Sequence, residues 1–147
     1  MKTAFTIVEL MIVVSIIGIL AALAVSFVGD YVTEAKESAA KDSLRIVRNM
    51  IETYAARNGV APGYLNNNTS STPGLTIFLL QVRSGKLLSD IPQNPFNGSK
   101  YINVIADSAD MPASATGANG WIYKPAAKQF RLDWPGTDSK GVRYYDY

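Results

Sequence analysis

The pattern of hydrophobic and polar positions changes near residue 29. From Leu10 to Gly29 the sequence contains no charged residue. About 20 residues at 1.5 Å rise span roughly 30 Å, the thickness of the hydrocarbon core of a bilayer. Beyond this segment, apolar residues recur at three- and four-residue spacing among charges of both signs, which indicates an amphipathic helix. The recurring apolar positions are Val32, Ala35, Ala39, Ile46, Met50 and Tyr54.

Both patterns belong to one predicted helix. Residues 5–57 contain no proline, so nothing forces a break between the apolar and the amphipathic part. Asn58-Gly59 predicts the C-terminal end, and Pro62 follows where a helix cannot resume. We therefore expect a single helix of about 50 residues, apolar and membrane-spanning over residues 5–29 and amphipathic over residues 30–58.

The remaining residues, 59–147, have the composition of a loop-rich globular region. A polar loop precedes a short helical pattern that starts at Leu75 and ends near Ser84-Gly85, and the two prolines and the glycine of residues 91–98 predict a turn system. Alternating segments then predict a small antiparallel sheet, whose apolar face the amphipathic half of the long helix covers. The predicted strands are 100–105, 121–124 and 128–134, and residues 141–147 add a fourth edge strand or pack their aromatic side chains on the surface. The fold class predicted is α+β with three to four strands.

Composition narrows the functional classes. The sequence has neither cysteine nor histidine, which excludes disulfides, thiolate metal sites, thiol nucleophiles and the commonest general base. Hydrolase elbows, phosphate-binding loops and zinc motifs are also missing from the sequence. We therefore expect no enzyme activity and no cofactor. The formal net charge of +2 is too small to require nucleic acid as a partner.

The first four residues form a very short hydrophilic leader with one cation, Lys2. Ala22-Leu23-Ala24 could serve as a signal-peptidase site, but the helical pattern continues without a break beyond it, so ordinary signal-peptide cleavage is disfavoured. The N-terminal cation and the larger folded part on the other side favour an N-terminus in the cytoplasm.

Glu9 has two interpretations. Thr6 and Glu9 have the spacing of a capping box, in which the two residues satisfy free amides at a helix start. A carboxylate beside a membrane core is also costly unless it finds a partner, which marks it as a candidate functional residue. The sequence leaves both interpretations open.

Small residues recur along one face of the apolar segment. Their three- and four-residue spacing would let another helix approach closely, although an ordinary dimeric membrane anchor would show the same pattern. The small residues are Ser15, Gly18, Ala22, Ser26 and Gly29.

The sequence AFTIVELMIVV at residues 4–14, followed by IIGILAA at residues 16–22, closely resembles the N-terminus of type IV pilins and of the pseudopilins of type II secretion. The resemblance covers roughly the first fifth of the chain, and the remainder only in layout. It implies the pilin fold, a leader of residues 1–4, cleavage between Ala4 and Phe5 by a prepilin peptidase, and N-methylation of Phe5. It also places Glu9 on the glutamate whose carboxylate meets the N-terminal amine of a neighbouring subunit in the filament.

The chain departs from the family pattern at several points. Ala4 stands where the family usually has glycine, and Ser26 stands where many type IV pilins have a proline, so we expect less melting of the helix between Gly18 and Ser26, or none. Pilins often close their variable region with a disulfide, and major pseudopilins often use calcium. Solvated loop acids are favoured over a calcium site, and no metal is assigned. The acids considered are Asp107, Asp110, Asp133 and Asp138.

The resemblance implies a structural subunit of a bacterial type IV pilus. Such a subunit is held in the inner membrane, is polymerised by the pilus assembly machinery into a homo-oligomeric helical filament on the cell surface, and serves adhesion, twitching motility and surface attachment. Residues 5, 9, 15, 18, 22 and 26 would make the assembly contacts. A major pseudopilin of a type II secretion system is the alternative within the family. An alternative of another class is a membrane-anchored extracytoplasmic binding module, which predicts no cut after Ala4 and tolerance of Glu9→Gln.

DNA as a further partner finds little support in the sequence. Basic residues concentrate near the C-terminus, but Asp133, Asp138 and Asp146 lie among them, which favours a mixed, solvated surface. The basic residues are Lys124, Lys128, Arg131, Lys140 and Arg143.

Overall fold

The computed structural model describes residues 6–147, with the backbone alone at residues 24–28. Its first element, α1, is one continuous helix over Ile7–Asn58, which confirms the predicted single helix. Gly59 ends it with φ of +76°, a left-handed conformation that glycine adopts without strain, and the Gly59 amide donates to the carbonyl of Ala55 at 2.8 Å. The predicted stop at Asn58-Gly59 is confirmed.

The hydrophobic core lies in the second of two compact units, Glu37–Tyr147, while the first unit ends at Lys36. Within the second unit, α1 buries one stripe of apolar side chains against the sheet, as predicted. The stripe itself differs from the prediction in part, because Met50 and Tyr54 are buried whereas the other four predicted positions are exposed, namely Val32, Ala35, Ala39 and Ile46. The helix also carries apolar residues that the prediction did not name, and these pack in the core with the sheet. The buried stripe includes Ala40, Leu44, Val47 and Ile51.

The sheet is mixed rather than antiparallel. Strands β1, Ile102–Val104, and β2, Trp121–Lys124, run parallel, whereas β2 and β3, Gln129–Leu132, run antiparallel in the order β1-β2-β3. The all-antiparallel prediction is therefore wrong for the first pair. Residues 105–120 are long enough to cross over and bring the chain back in the same direction, whereas the short turn before β3 permits only an antiparallel pair.

A second helix, α2, spans Leu75–Ser84 and confirms the short helical pattern. It buries Phe78 and Val82 in the core. The Phe78 ring lies 5.1 Å from that of Tyr123 on β2, and the Trp121 ring lies 5.3 Å from that of Phe130 on β3. Aromatic pairs at these distances contribute beyond the area that they bury, so rings from three elements hold this side of the core together.

The C-terminal segment forms neither a full edge strand nor a surface cluster. Tyr144–Asp146 is a short 3₁₀ turn in which Tyr144 and Tyr145 are buried, and the nearest approach to a strand is an isolated bridge between Thr137 and Arg143. Burial and a 3.0 Å hydrogen bond from the Tyr144 hydroxyl to Glu37 Oε1 raise the pKa of Tyr144. The segment therefore reaches back to the start of the second unit on α1.

Arg48 on α1 donates hydrogen bonds to both β3 and the C-terminal segment. Its Nε and Nη2 donate to the carbonyl of Phe130 at 3.0 and 2.8 Å, and Nη2 also donates to the main-chain oxygen of Tyr147. The planar guanidinium suits this fork, since one rigid group satisfies two main-chain acceptors. Packing and hydrogen bonds therefore hold the C-terminal segment in place. A disulfide cannot do so, because the sequence contains no cysteine.

Gly120, directly before β2, tests this packing. A Cβ at this position would lie 2.2 Å from the carbonyl oxygen of Ser99, so we expect Gly120→Ala to lower the free energy of unfolding by about 3 kcal/mol, at the upper end for overpacking. At Gly74 an added Cβ meets only the Ile77 Cδ1 atom, at 3.9 Å. Gly74→Ala is therefore the matched control, and we expect it to change the free energy of unfolding by less than about 1 kcal/mol. Urea denaturation of the two purified variants measures both free energies of unfolding. Equal stabilities would contradict the close contact between Gly120 and Ser99.

Candidate assembly site

The start of α1 is a capping box between Thr6 and Glu9. The Thr6 amide donates to Glu9 Oε2 at 2.8 Å, the Thr6 hydroxyl donates to the same oxygen at 2.9 Å, and the Glu9 amide donates to Thr6 Oγ1 at 3.2 Å. The capping interpretation of Glu9 is therefore confirmed. Among the described residues none donates to Oε1, and Glu9 is exposed. The same carboxylate can cap its own helix and accept a further donor.

Large apolar side chains are exposed throughout the first turns of α1. Their exposed fraction ranges from 45% at Val13 to 79% at Ile7. Such a contiguous apolar surface is unusual for a soluble monomer and indicates a site that something else covers. The exposed residues are Ile7, Val8, Leu10, Met11, Ile12, Val13, Val14, Ile16, Ile17, Ile19, Leu20 and Leu23.

Over the part of the chain that the structure describes, no helix combines the length and the apolar character that crossing a membrane requires. The predicted membrane segment, residues 5–29, includes Phe5 and the side chains of residues 24–28, which lie outside the described residues.

Four of the five predicted small residues are exposed on α1. They are Ser15, Gly18, Ala22 and Gly29, and the first three follow one another at three- and four-residue steps. The Ser15 hydroxyl donates to the carbonyl of Met11 at 2.8 Å, so its polar group is satisfied within its own helix. A Cβ added at Gly18 would meet no atom within 4 Å, so the surface is open at the centre of this face. The side chain of Ser26 and all of Ala4 and Phe5 lie outside the described residues.

Three of the four acids considered as calcium ligands bind protein donors, and the fourth, Asp110, is exposed. Asp133 is fully buried and accepts main-chain amides from Thr116 at 2.6 Å, Asn119 at 3.0 Å and Gly117 at 3.1 Å. Asp138 accepts the amides of Lys140 and Val142, both at 2.9 Å, and Asp107 accepts the Tyr64 hydroxyl at 2.8 Å. Within residues 6–147 no three acidic side chains gather in a way that could hold a metal ion.

The C-terminal basic residues are interleaved with acids. Lys128 pairs with Glu52 at 2.9 Å, and Asp146 pairs with Arg131 at 3.3 Å and with Arg143 at 2.6 Å. Exposed pairs of this kind contribute little to stability, but they reduce the local positive potential. The mixed surface that the sequence favoured over DNA binding therefore carries charges of both signs at these positions, and DNA binding itself is untested.

Sequence reasoning missed two sites that depend on long-range contacts. Glu37 is one of the charged residues in the amphipathic part of α1, yet it is only 8% exposed and accepts a hydrogen bond from the Tyr144 hydroxyl. Asp133 was treated as a loop acid, yet it organises residues 116–119. A run of turn-forming residues, TGANG at 116–120, was the one signal that could have indicated the Asp133 site.

Asp133 makes stability depend on pH. Burial alone would raise the pKa of this carboxyl, but the amide donors of Thr116, Asn119 and Gly117 outweigh burial and lower the pKa below its ordinary value. Because the folded pKa is the lower one, this carboxylate stabilises the fold above the unfolded pKa of about 3.9. The contribution is lost as the pH falls through the folded pKa.

We therefore expect Asp133→Asn to lower the free energy of unfolding by about 1–3 kcal/mol at neutral pH, with a smaller loss in acid, because the contribution of the wild-type carboxylate decreases once the pH is below the unfolded pKa. Urea denaturation at neutral pH and at about pH 2.5 measures the difference. Asp110, which is exposed, supplies the control Asp110→Asn, for which no such change is expected. A loss for Asp133→Asn that is the same at both pH values would contradict this assignment.

The chain matches no protein-family model, and no solved structure is significantly similar to it.

Proposed function

We propose that this chain is the structural subunit of a bacterial type IV pilus. In this proposal residues 5–29 lie in the inner membrane before assembly and pack against other copies of the chain in a surface filament afterwards. The observation that carries the proposal is the row of exposed apolar side chains between Ile7 and Leu23, directly behind a helix start that holds an acid at position 9. The resemblance of residues 4–22 to pilins supports the same conclusion.

Apolar contact supplies most of the assembly energy in this proposal. Full burial of a Val, Leu or Ile side chain is worth about 1.5–3 kcal/mol, so covering the exposed halves of the side chains from Ile7 to Leu23 releases on the order of 10 kcal/mol in water. In lipid the same surface is already covered, so the gain on assembly comes from close packing instead. The open face at Ser15, Gly18 and Ala22 permits such packing.

Glu9 sets the register of that packing. Opposite charges about 4 Å apart attract by roughly 4 kcal/mol at an effective dielectric of 20, and a stagger of the helices that separates them forfeits this attraction. The amine that would pair with Glu9 is that of Phe5 in a neighbouring copy, once the leader of residues 1–4 has been removed. Glu9 Oε2 is occupied by Thr6 of its own chain, which leaves Oε1 for the neighbour.

The work of such a subunit is mechanical: adhesion, twitching motility and surface attachment. Identical subunits that join through two different surfaces, without closing into a ring, build an open helical filament. A prepilin peptidase and the pilus assembly machinery are the partners that this function requires.

The turn at residues 91–98 favours a second candidate, the major pseudopilin of a type II secretion system. The turn is built into the sheet through buried Asn94, whose Nδ2 donates to the carbonyl of Gly120 at 3.0 Å, and the single sheet is compact. Both features fit the layout of that group. Electron microscopy separates the candidates, since a pilus subunit forms long surface filaments and a pseudopilin forms short periplasmic ones.

The mature N-terminus is the first test of the family assignment. We expect the protein from membranes or filaments to start at Phe5 and to carry one added methyl group on its amine. Intact-mass and N-terminal peptide mass spectrometry measure both features, and Ala4→Leu is the control, because a bulky residue before the cut should block cleavage. A protein that keeps Met1, or one that starts beyond Ala24, would contradict the proposal and favour the membrane-anchored binding module.

Glu9→Gln separates the two roles of Glu9. Glutamine retains an oxygen that can accept the Thr6 amide, so the capping box survives while the charge is lost. Glu9→Ala removes both. If the charge sets the register, both variants should be processed and inserted but should form at least ten-fold fewer filaments than the wild type.

Filament yield in sheared-cell fractions measures this outcome, and the amount of membrane-bound mature subunit is the control for folding and insertion. Normal filaments from Glu9→Gln together with a failure of Glu9→Ala would assign the residue to capping alone and would remove the charge-pairing mechanism.

A further inference from the structure

We propose that α2 of one copy docks on residues 30–34 of a second copy, with Leu80 against Tyr31 and Arg83 against Glu34. The inference rests on the proposed function, because a filament is what brings the copies together. It adds a second subunit contact, outside residues 5–29, that the resemblance does not assign.

The outer face of α2 presents apolar surface beside positive charge. Leu80 is 67% exposed and borders a shallow groove of about 460 Å³. A second groove of about 380 Å³ continues from Arg83 towards Lys86. The first groove is lined by Thr76, Leu79, Leu80, Arg83 and Ser84, and the second by Arg83, Lys86, Leu88 and Ser89.

Arg83 is free to change its partner. Its Nη2 lies 3.5 Å from Asp90 Oδ1, with side chains 57% and 49% exposed, so the pair is weak. Asp90 also forms an ion pair with Lys100. If Arg83 turned to a carboxylate of another copy, Asp90 would still be neutralised, so the exchange leaves no charge unpaired.

Residues 30–34 present the complementary chemistry. The Tyr31 side chain is 68% exposed and that of Val32 is 48% exposed. The flanking acids, Asp30 and Glu34, are exposed as well, and no base occurs between them in the sequence. The ion pairs among the described residues involve neither acid. This short segment therefore offers apolar surface with negative charge, where α2 offers apolar surface with positive charge.

The spacing of the two pairs matches. Leu80 and Arg83 are three residues apart on α2, and Tyr31 and Glu34 are three residues apart on α1, so each pair lies on one helix face about 5–6 Å apart. Two helices that run parallel can therefore bring both pairs into contact at once. Since the two surfaces differ, the contact is heterologous and repeats from copy to copy, as an open filament requires. A single ion pair between Arg83 and Glu34 is weak, but every subunit added to the filament forms another one.

A cysteine pair tests the contact, because the natural sequence contains no cysteine. Filaments carrying Tyr31→Cys and Leu80→Cys are oxidised and separated by non-reducing electrophoresis. We expect a ladder of covalent multimers, since each copy would cross-link to two others. The matched control combines Thr33→Cys with Leu80→Cys, because residue 33 is turned by about 200° from residue 31 around the helix. Either no ladder from the first pair or equal ladders from both pairs would overturn the inference.

Charge reversal is the second measurement. Glu34→Lys and Arg83→Glu should each lower filament yield several-fold, and the double variant should recover most of the yield, because it restores an ion pair with opposite polarity. All four of the residues in the contact are exposed, so the level of folded membrane-bound subunit should stay at that of the wild type. A double variant no better than the worse single variant would contradict the pairing.

The two proposals fail in different ways. Wild-type protein that forms no filaments in its native host overturns the proposed function and this contact with it. Filaments that form and depend on Glu9, but that neither cross-link through Tyr31 and Leu80 nor respond to charge reversal, leave the proposed function standing and overturn only this contact.

Discussion

The exposed apolar surface of residues 7–23 is the constraint on which the rest of the chain depends. Exposure of this apolar surface to water is unfavourable, and within the described residues nothing covers it. Under the proposed function lipid covers it first and other copies cover it later, so the segment must suit two environments. In the same proposal Glu9 permits that exchange, since Thr6 satisfies one of its oxygens locally and the other is left for an amine from a second copy.

The second unit has a different requirement, which is to hold a small, loop-rich region together without a disulfide. Aromatic rings from α2, β2 and β3 form its centre. Arg48 and Glu37 tie the C-terminal turn back to α1, and Asp133 organises residues 116–119. These contacts join residues far apart in sequence, so the core of this region depends on long-range packing. Its surface is then free for contacts such as the one proposed at α2.

Local signals in the sequence predicted the local parts of this structure. The absence of proline and the glycine at position 59 defined α1, and the Thr6–Glu9 spacing predicted the capping box. Strand direction was missed because it depends on the path of residues 105–120, which carry no periodic pattern. The predicted apolar stripe of α1 was wrong at Val32, Ala35, Ala39 and Ile46, which are exposed, since apolar residues occur on more than one face of the helix and only long-range packing selects the buried one. The burial of Glu37 follows from a tyrosine 107 positions away, a contact that no local pattern indicates.

The most direct test of the central claim is a high-resolution structure of the assembled filament, in which the distance between the Glu9 carboxylate and the nearest amine of another copy is measured. The account predicts that the amine of Phe5 from a neighbouring subunit lies within about 4 Å, with the side chains from Ile7 to Leu23 buried among other copies of α1. A filament in which Glu9 faces solvent, or in which residues 7–23 lie outside the subunit contacts, would contradict it.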